Sequence, residues 1–281
     1  YVQLLKKLNP KVVFFPAFHY YGPLISAARS LGIISVDIQH GIQVGYNPLY
    51  NDWSEMPPEG YAALPDYFFV WGEKERANIE KVFGGHRHRP VVIGNLWLRK
   101  QLREGGEIPE SLASRIRSRR HAVLLAMQSQ TEIPELFREI IKASPPDFLW
   151  VVRHHPKGKK YKPSDFGSSN VLIAPEVDHA LLIPLLKHVD ATLSEGSTVA
   201  VEGHSMGVPA FITSETGREN YRDEISQGDF YYVEDPKSFF DQFAAHQEER
   251  GANTPSLVEV DVAAVLRDLV RNGKALESEA L

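Results

Sequence analysis

Two short stretches of the sequence concentrate groups suited to phosphate, and a third carries a candidate base. Leu-Ser-Glu-Gly-Ser-Thr at 193–198 runs directly into Val-Ala-Val-Glu-Gly-His at 199–204. An apolar strand that passes through a Gly/Ser/Thr turn into a short helix leaves backbone N–H groups free, and the Ser197 and Thr198 hydroxyls add to them. Ser194 and Gly196 complete the turn. Glu202 lies about one helical turn further on, where its carboxylate could reach ribose or sugar hydroxyls. A helix cap followed by a solvated glutamate is the plainer alternative.

Arg-His-His-Pro at 153–156 ends another apolar run. An imidazole at a strand end can donate to a phosphate oxygen or protonate a leaving group. Pro156 keeps the residue before it out of helical backbone space. Adjacent strand residues point to opposite faces. His155 is therefore the one expected in a site, with Arg153 and Pro156 beside it, and His154 is expected to be a packed or solvated neighbour. The third stretch, Asp-Ile-Gln-His-Gly at 37–41, places His40 after a buried run, and Gly41 permits a close approach. His40 is a candidate acceptor-activating base. A histidine bonded to a loop carbonyl is an equal alternative, and Asp37, Asp52, Glu55 and Glu73 are rival carboxylates.

These residues need elements to position them. Apolar runs of five to seven residues alternate with helical patterns, which signals βα units and parallel sheets. Strands are expected at 11–18, 33–39, 66–72 and 90–95, with helices at 22–32 and 73–84. The irregular stretch 41–64 is a candidate substrate loop. A polar Gly/Glu/Arg-rich connection at about 99–120 places the domain boundary there, giving a first lobe of 1–105 and a second of 106–281. In the second, strands are expected at 121–128, 148–156, 170–175, 191–196, 208–213 and 230–235. Helices are expected at 133–144, 179–189, 197–207 and about 255–272. Ligands of open α/β sheets bind beyond the carboxyl ends of the strands, and polar residues and glycines gather there, His19 and Tyr20 after the first strand among them.

Other classes are removed or weakened by what is missing. No Walker A pattern or strand-following GxGxxG occurs, and no GxSxG elbow. The chain has no cysteine among its 281 residues, which removes thiolate chemistry and zinc–thiolate sites. The paired histidines of GHRH (85–88) have no third ligand at helical spacing, and no DxD follows a strand, so no metal site is expected. A net charge of −5 argues against nucleic-acid binding. Basic residues are local, and HRHRP (86–90) and RIRSRR (115–120) are expected to be solvated faces. No apolar run approaches the ~18–20 residues of a membrane span.

Taken in order, QHG (39–41), DYFFVWGE (66–73), VIGN (92–95), RHHP (153–156) and SEGSTVAVEGHSMGVP (194–209) resemble GT-B glycosyltransferases. More narrowly they resemble the bacterial enzymes of capsule and lipopolysaccharide assembly, a group that holds Kdo transferases, polysialyltransferases and CDP-glycerol glycerophosphotransferases. The resemblance spans about 30–235, and order and spacing carry it. It implies an α/β GT-B fold, two Rossmann-like lobes with parallel sheets facing a central cleft, the first binding the acceptor and the second the nucleotide donor. His155-Pro156 and Ser197-Thr198 would contact the donor phosphate, and Glu202 the ribose. The implied donor is CMP-linked, such as CMP-Kdo or another CMP-nonulosonate, or CDP-linked, and the implied acceptor is a surface glycan or glycolipid. No further cofactor or metal would be needed. The setting would be cytoplasmic, with peripheral association with the inner membrane or with further domains of a larger chain. The short first lobe departs from the family and leaves the base open. Two rival readings remain: a nucleotide-sugar 2-epimerase and a non-catalytic sugar-nucleotide-binding module.

Overall fold

A computed structural model describes residues 1–41, 48–51, 53, 55–83, 87–129, 132–249 and 260–272. Asp52, His86 and most of the first half of the 41–64 stretch lie outside them. In chain order the elements are α1 (Val2–Leu8), β1 (Val12–Phe15), α2 (Gly22–Ser30), β2 (Ile34–Ile38), α3 (Pro48–Asn51), β3 (Tyr67–Val70), α4 (Glu73–Phe83), β4 (Arg89–Val92), α5 (Leu96–Glu104) and α6 (Glu110–Ile116). There follow β5 (His121–Ala126), α7 (Glu135–Ala143), β6 (Phe148–Arg153), β7 (Val171–Leu172), α8 (Pro175–His179), α9 (Leu182–Leu186), β8 (Ala191–Ser194) and α10 (Val199–His204). The chain continues through β9 (Ala210–Ile212), α11 (Glu215–Asn220), α12 (Arg222–Gln227), β10 (Phe230–Tyr232), α13 (Pro236–Glu249) and α14 (Val262–Asn272). No described helix is long and apolar enough to cross a membrane.

The strands form two wholly parallel sheets, ordered β1-β2-β3-β4 and β10-β9-β8-β5-β6-β7. They belong to two compact units, Tyr1–Leu96 with Leu257–Leu281, and Trp97–Ser256. In the first unit, Phe15, Phe68 and Val70 pack with Ile25, Ile79, Phe83 and Tyr50 on one face of the sheet. On the other, Val36, Tyr67, Phe69 and Ile93 meet Val265 and Leu269 of α14. All four residues of β3 are buried, as expected of a strand covered on both faces. In the second unit, Val123, Leu125, Trp150, Val152, Leu193 and Phe211 pack against Phe137, Ile140 and Ile141 of α7 and Phe239 and Phe243 of α13. The i, i+3, i+4 spacing on α7 sets that apolar stripe, and Pro145 and Pro146 follow its end.

Three expectations need correcting. The division falls at Leu96/Trp97 rather than 105/106, and the C-terminal helix belongs with the first unit, because its Val265 and Leu269 cover the Val36–Tyr67–Phe69 face. The single helix expected at 179–189 is two short ones with Leu181 extended between them, since a proline ring at Pro184 clashes with a helical carbonyl four residues back and so sits in a first turn. His88, expected on a solvated face, is 1% exposed. It accepts the Tyr61 N–H and donates to Pro65 O.

Leu269→Ala should cost roughly 2–5 kcal/mol in the first unit. Hydrogen exchange should quicken at 36–38 and 67–70 and stay unchanged at 123–126. Unchanged exchange at 36–38 would show that α14 does not support this sheet.

Candidate functional site

In the second sheet the chain leaves β5 toward β6 and leaves β8 toward β9, in opposite directions. Such a reversal opens a crevice at the carboxyl ends of the two central strands, where open parallel sheets bind ligands. The first sheet runs β1 to β4 in one direction and has no such reversal. The turn after β8, residues 195–198, therefore stands at the crevice, opposite Gln128 and Ser129 after β5.

Ser194 is buried, and its hydroxyl accepts the Ser197 N–H at 3.1 Å, so it braces the turn from inside. The Ser197 hydroxyl accepts the Val199 N–H at 3.3 Å, which leaves its own proton to donate. Gly196 and Gly217 let backbone lie on backbone. A Cβ on Gly217 would stand 2.1 Å from Glu195 O, and one on Gly196 would stand 3.0 Å from Gly217 Cα.

The two histidines after β6 divide their tasks. His154 is buried; its Nδ1 lies 3.0 Å from Asp178 Oδ2, and its Nε2 accepts the Tyr161 N–H at 2.9 Å. Burial alone would raise the Asp178 carboxyl, but the His154 backbone N–H, Lys160 and the His154 ring together hold it below its ordinary value. Both ring nitrogens of His154 are thus committed to the fold. His155 accepts the Lys157 N–H on Nδ1 at 3.1 Å, so a neutral ring carries its proton on Nε2 as a donor. Gly158 N–H closes the turn on His155 O at 2.9 Å. A Cβ at Gly158 would meet Gln128 O at 2.8 Å, so the turn presses on the end of β5 and brings His155 and exposed Pro156 to the crevice.

Arg153 and Glu202 are coupled across the same edge. Burial lowers the Arg153 guanidinium, against the pull of Asp178 and Glu202. Arg153 also donates to Val177 O at 3.1 Å. Burial pushes the Glu202 carboxyl up to about 7, with Arg153 opposing the rise. Glu195 is raised by burial too. This side of the sheet can therefore offer an anion an N–H-rich turn, a histidine donor and a buried cation, with a carboxyl for hydroxyl groups. A wide depression of about 370 Å³ elsewhere in the unit, bordered by Ser114, Arg115 and Leu149, holds none of these residues.

The first unit gathers a second cluster at the ends of β1 and β2. Asp37 is 2% exposed and accepts the Tyr50 hydroxyl at 2.8 Å. Burial pushes its carboxyl up to about 7, while Tyr50 and the Phe18 and Ala17 amides pull it down. Those amides close no hydrogen bond of normal geometry on Oδ1, which stays unpartnered. Ala17 holds a left-handed conformation at φ 52°, uncommon for a residue with a side chain, and so turns the chain after β1 toward Asp37. His40 is exposed, yet its ring is held below the ordinary value, first by loss of water and then by the nearby His19 ring. His19 itself has a buried, unpartnered Nδ1. Gln39 is a brace that accepts the Trp71 N–H at 2.8 Å and donates to Gly41 O at 3.1 Å. Glu73 is exposed on the first turn of α4 and pairs with Arg76 at 2.5 Å. Glu55 is exposed as well. The structure thus sets His40 near His19, joins Asp37 to Tyr50, and leaves Glu73 on the helix surface. Among the described residues no group of three His, Asp or Glu could hold a metal ion.

No protein-family profile and no curated protein sequence matches the chain. Solved structures share its fold. A candidate UDP-N-acetylglucosamine 2-epimerase from Listeria monocytogenes superposes with a TM-score of 0.66 at 16% identity, over 100% of this chain and 79% of that one. The UDP-GlcNAc 2-epimerase of Methanocaldococcus jannaschii, solved with UDP-GlcNAc and UDP, gives 0.59 at 16% identity, over 90% and 73%. The glycosyltransferase SnogD from Streptomyces nogalater gives 0.55 at 16% identity, over 96% and 76%. The chain has the GT-B architecture of parallel-sheet, Rossmann-like α/β units.

Glu202 should leave a mark on stability. Its folded value, about 7, lies above the ordinary 4.5, so the folded protein keeps a proton that the unfolded chain releases. That contribution is full below about pH 4.5 and is lost as pH rises through 7, in all roughly 3 kcal/mol. Glu202→Gln should therefore gain melting temperature relative to the parent as pH rises from 5 to 8. Parallel pH curves for the two proteins would show that Glu202 is not buried as described.

Proposed function

We propose that the chain is a glycosyltransferase that takes a sugar from a pyrimidine-nucleotide donor held by the second unit. One observation supports this reading above the rest: the strand order reverses between β5 and β8, and the 195–198 turn follows β8 at that reversal while the neighbouring β6 ends in Arg153 and is followed by His155, Arg153 acting on the Glu202 carboxyl. The motif resemblance favours a cytidine donor, such as CMP-Kdo or another CMP-nonulosonate. Three of the fold relatives were solved with uridine nucleotides, so the base is the point to test first.

In the proposed step the bond between the anomeric carbon and the donor phosphate oxygen breaks as the acceptor hydroxyl oxygen bonds to that carbon. His155, the turn amides and Arg153 take up the negative charge that develops on the leaving phosphate, the electrostatic part of catalysis. Glu202 holds the ribose. His40 of the first unit accepts the acceptor's proton: its ring is exposed, and a value held below the ordinary one keeps it neutral and so able to accept. Asp37 is the second candidate, because a carboxyl near 7 can exchange a proton at neutral pH. The acceptor class follows the resemblance, a surface glycan or glycolipid met at the cytoplasmic face. No cation is needed where protein donors neutralise the phosphate, so turnover is assayed in EDTA.

Epimerisation is the second reading, supported by the fold relatives and by two carboxyls poised near 7, Asp37 and Glu202. Incubating CMP- and UDP-sugars with and without glycan acceptors separates the two: transfer needs the acceptor, whereas epimerisation yields an isomerised nucleotide sugar without it.

Cytidine and uridine nucleotides should raise the melting temperature more than adenosine or guanosine nucleotides, by mass action on the folded state. Equal shifts with all four bases would remove the pyrimidine assignment. His155→Ala should weaken nucleotide binding and slow transfer together, on the order of 3 kcal/mol in the transition state. His40→Ala should keep nucleotide affinity while transfer collapses. Normal nucleotide binding by His155→Ala would refute the donor assignment, and near-normal transfer by His40→Ala would move the base to Asp37.

A further inference from the structure

The 194–199 turn is gripped from behind by one segment, 213–221. Ser194 O accepts the Thr213 N–H at 3.0 Å and the Thr213 hydroxyl at 3.3 Å. Glu195 O accepts the Ser214 hydroxyl, which also caps α11 by accepting the Gly217 N–H at 2.9 Å. Ser197 O accepts the Tyr221 hydroxyl at 2.9 Å. In a trans peptide the C=O of one residue and the N–H of the next point in opposite directions. Carbonyls drawn back to 213–221 therefore turn the following amides outward. Two of these, Gly196 N–H and Thr198 N–H, make no hydrogen bond among the described residues.

Tyr221 differs from the other two holders. Thr213 and Ser214 act where the chain leaves β9, whereas Tyr221 reaches in from the junction of α11 and α12. Its ring is 1% exposed and packs edge-on against Phe230 at 4.8 Å, so apolar contacts alone would seat a phenylalanine there. Its hydroxyl meets one backbone carbonyl, which it shares with the Ala200 N–H at 3.1 Å. The carbonyl it holds belongs to the peptide unit that carries the Thr198 amide.

We propose that Tyr221 is a positioning residue for the phosphate side of the donor site: through Ser197 O it fixes the direction of the Thr198 amide. The proposal rests on the donor reading given above and adds to it a group outside the turn and the His-Pro stretch. An orientation set this way acts on the phosphate and leaves the nucleoside contacts alone.

Tyr221→Phe keeps the ring and removes the hydroxyl. Two measurements test it: hydrogen exchange of the 197–201 amides without ligand, and affinities for UDP and CMP beside uridine and cytidine as phosphate-free controls. Exchange should quicken and nucleotide affinity should fall, each about tenfold, the scale of one lost hydrogen bond. Nucleoside affinity should hold. Unchanged exchange overturns the proposal, as does unchanged nucleotide affinity, or an equal loss for nucleotides and nucleosides, which marks a merely structural role. If the parent protein binds neither UDP nor CMP, the donor reading itself fails, and the exchange comparison still decides whether the hydroxyl holds the turn.

Discussion

The reversal of strand order between β5 and β8 is the constraint on which the second unit's candidate site depends. Where neighbouring strands send their connections opposite ways, no helix can cover the gap at their carboxyl ends, and backbone donors there stay open. The turn after β8 fills that gap with a backbone that must lie against another backbone, Gly196 on Gly217. The turn after β6 reaches the same gap only because Gly158 lacks a side chain against Gln128 O. Three glycines thus set how closely His155 and the 195–198 turn approach a common point. The first sheet has no reversal and draws its cluster from strand-end side chains instead, at His19, Asp37 and His40.

Both units pay for buried acids in the same way, by letting the carboxyl approach neutrality. Asp37 and Glu202 are each pushed up to about 7, with burial the largest cause in both. Neighbours soften the rise in each, Tyr50 with the Phe18 and Ala17 amides for Asp37, and Arg153 for Glu202. A purely structural carboxylate in this chain behaves otherwise. Asp178, with three donors around it, is held below its ordinary value. The contrast separates carboxyls that stabilise the fold as anions from those that hold a proton near neutral pH, and a site that handles hydroxyl groups has use for the second kind.

Much of this was legible in the sequence, for reasons that particular elements show. Parallel strands buried on both faces read as unbroken apolar runs, so Tyr67–Val70 and His121–Ala126 fall within the expected limits. The Gly/Ser/Thr turn after β8 and the turn at His155–Gly158 could be placed because glycine and proline mark such turns locally. What stayed hidden was set by distance along the chain. Asp37 and Tyr50 are thirteen residues apart and joined by a stretch with no period. Tyr221 lies twenty-four residues beyond the carbonyl it holds. The placement of α14 depends on which sheet face lacks a cover, and an amphipathic pattern alone does not identify its partner.

The motifs themselves mix two kinds of residue that the sequence does not tell apart. Gln39 in QHG ties Gly41 to Trp71, Asp66 at the head of DYFFVWGE accepts the Ser35 N–H and hydroxyl, and Ser194 braces its own turn. Side chains spent in this way cannot turn to a ligand without stranding a partner. For His154 the stranded group would be Asp178, a carboxylate that the ring and Lys160 keep charged. His155 has no such debt. Its ring makes one bond, through Nδ1, and leaves Nε2 uncommitted, so of two neighbouring imidazoles the first is committed to the fold at both nitrogens and the second at one.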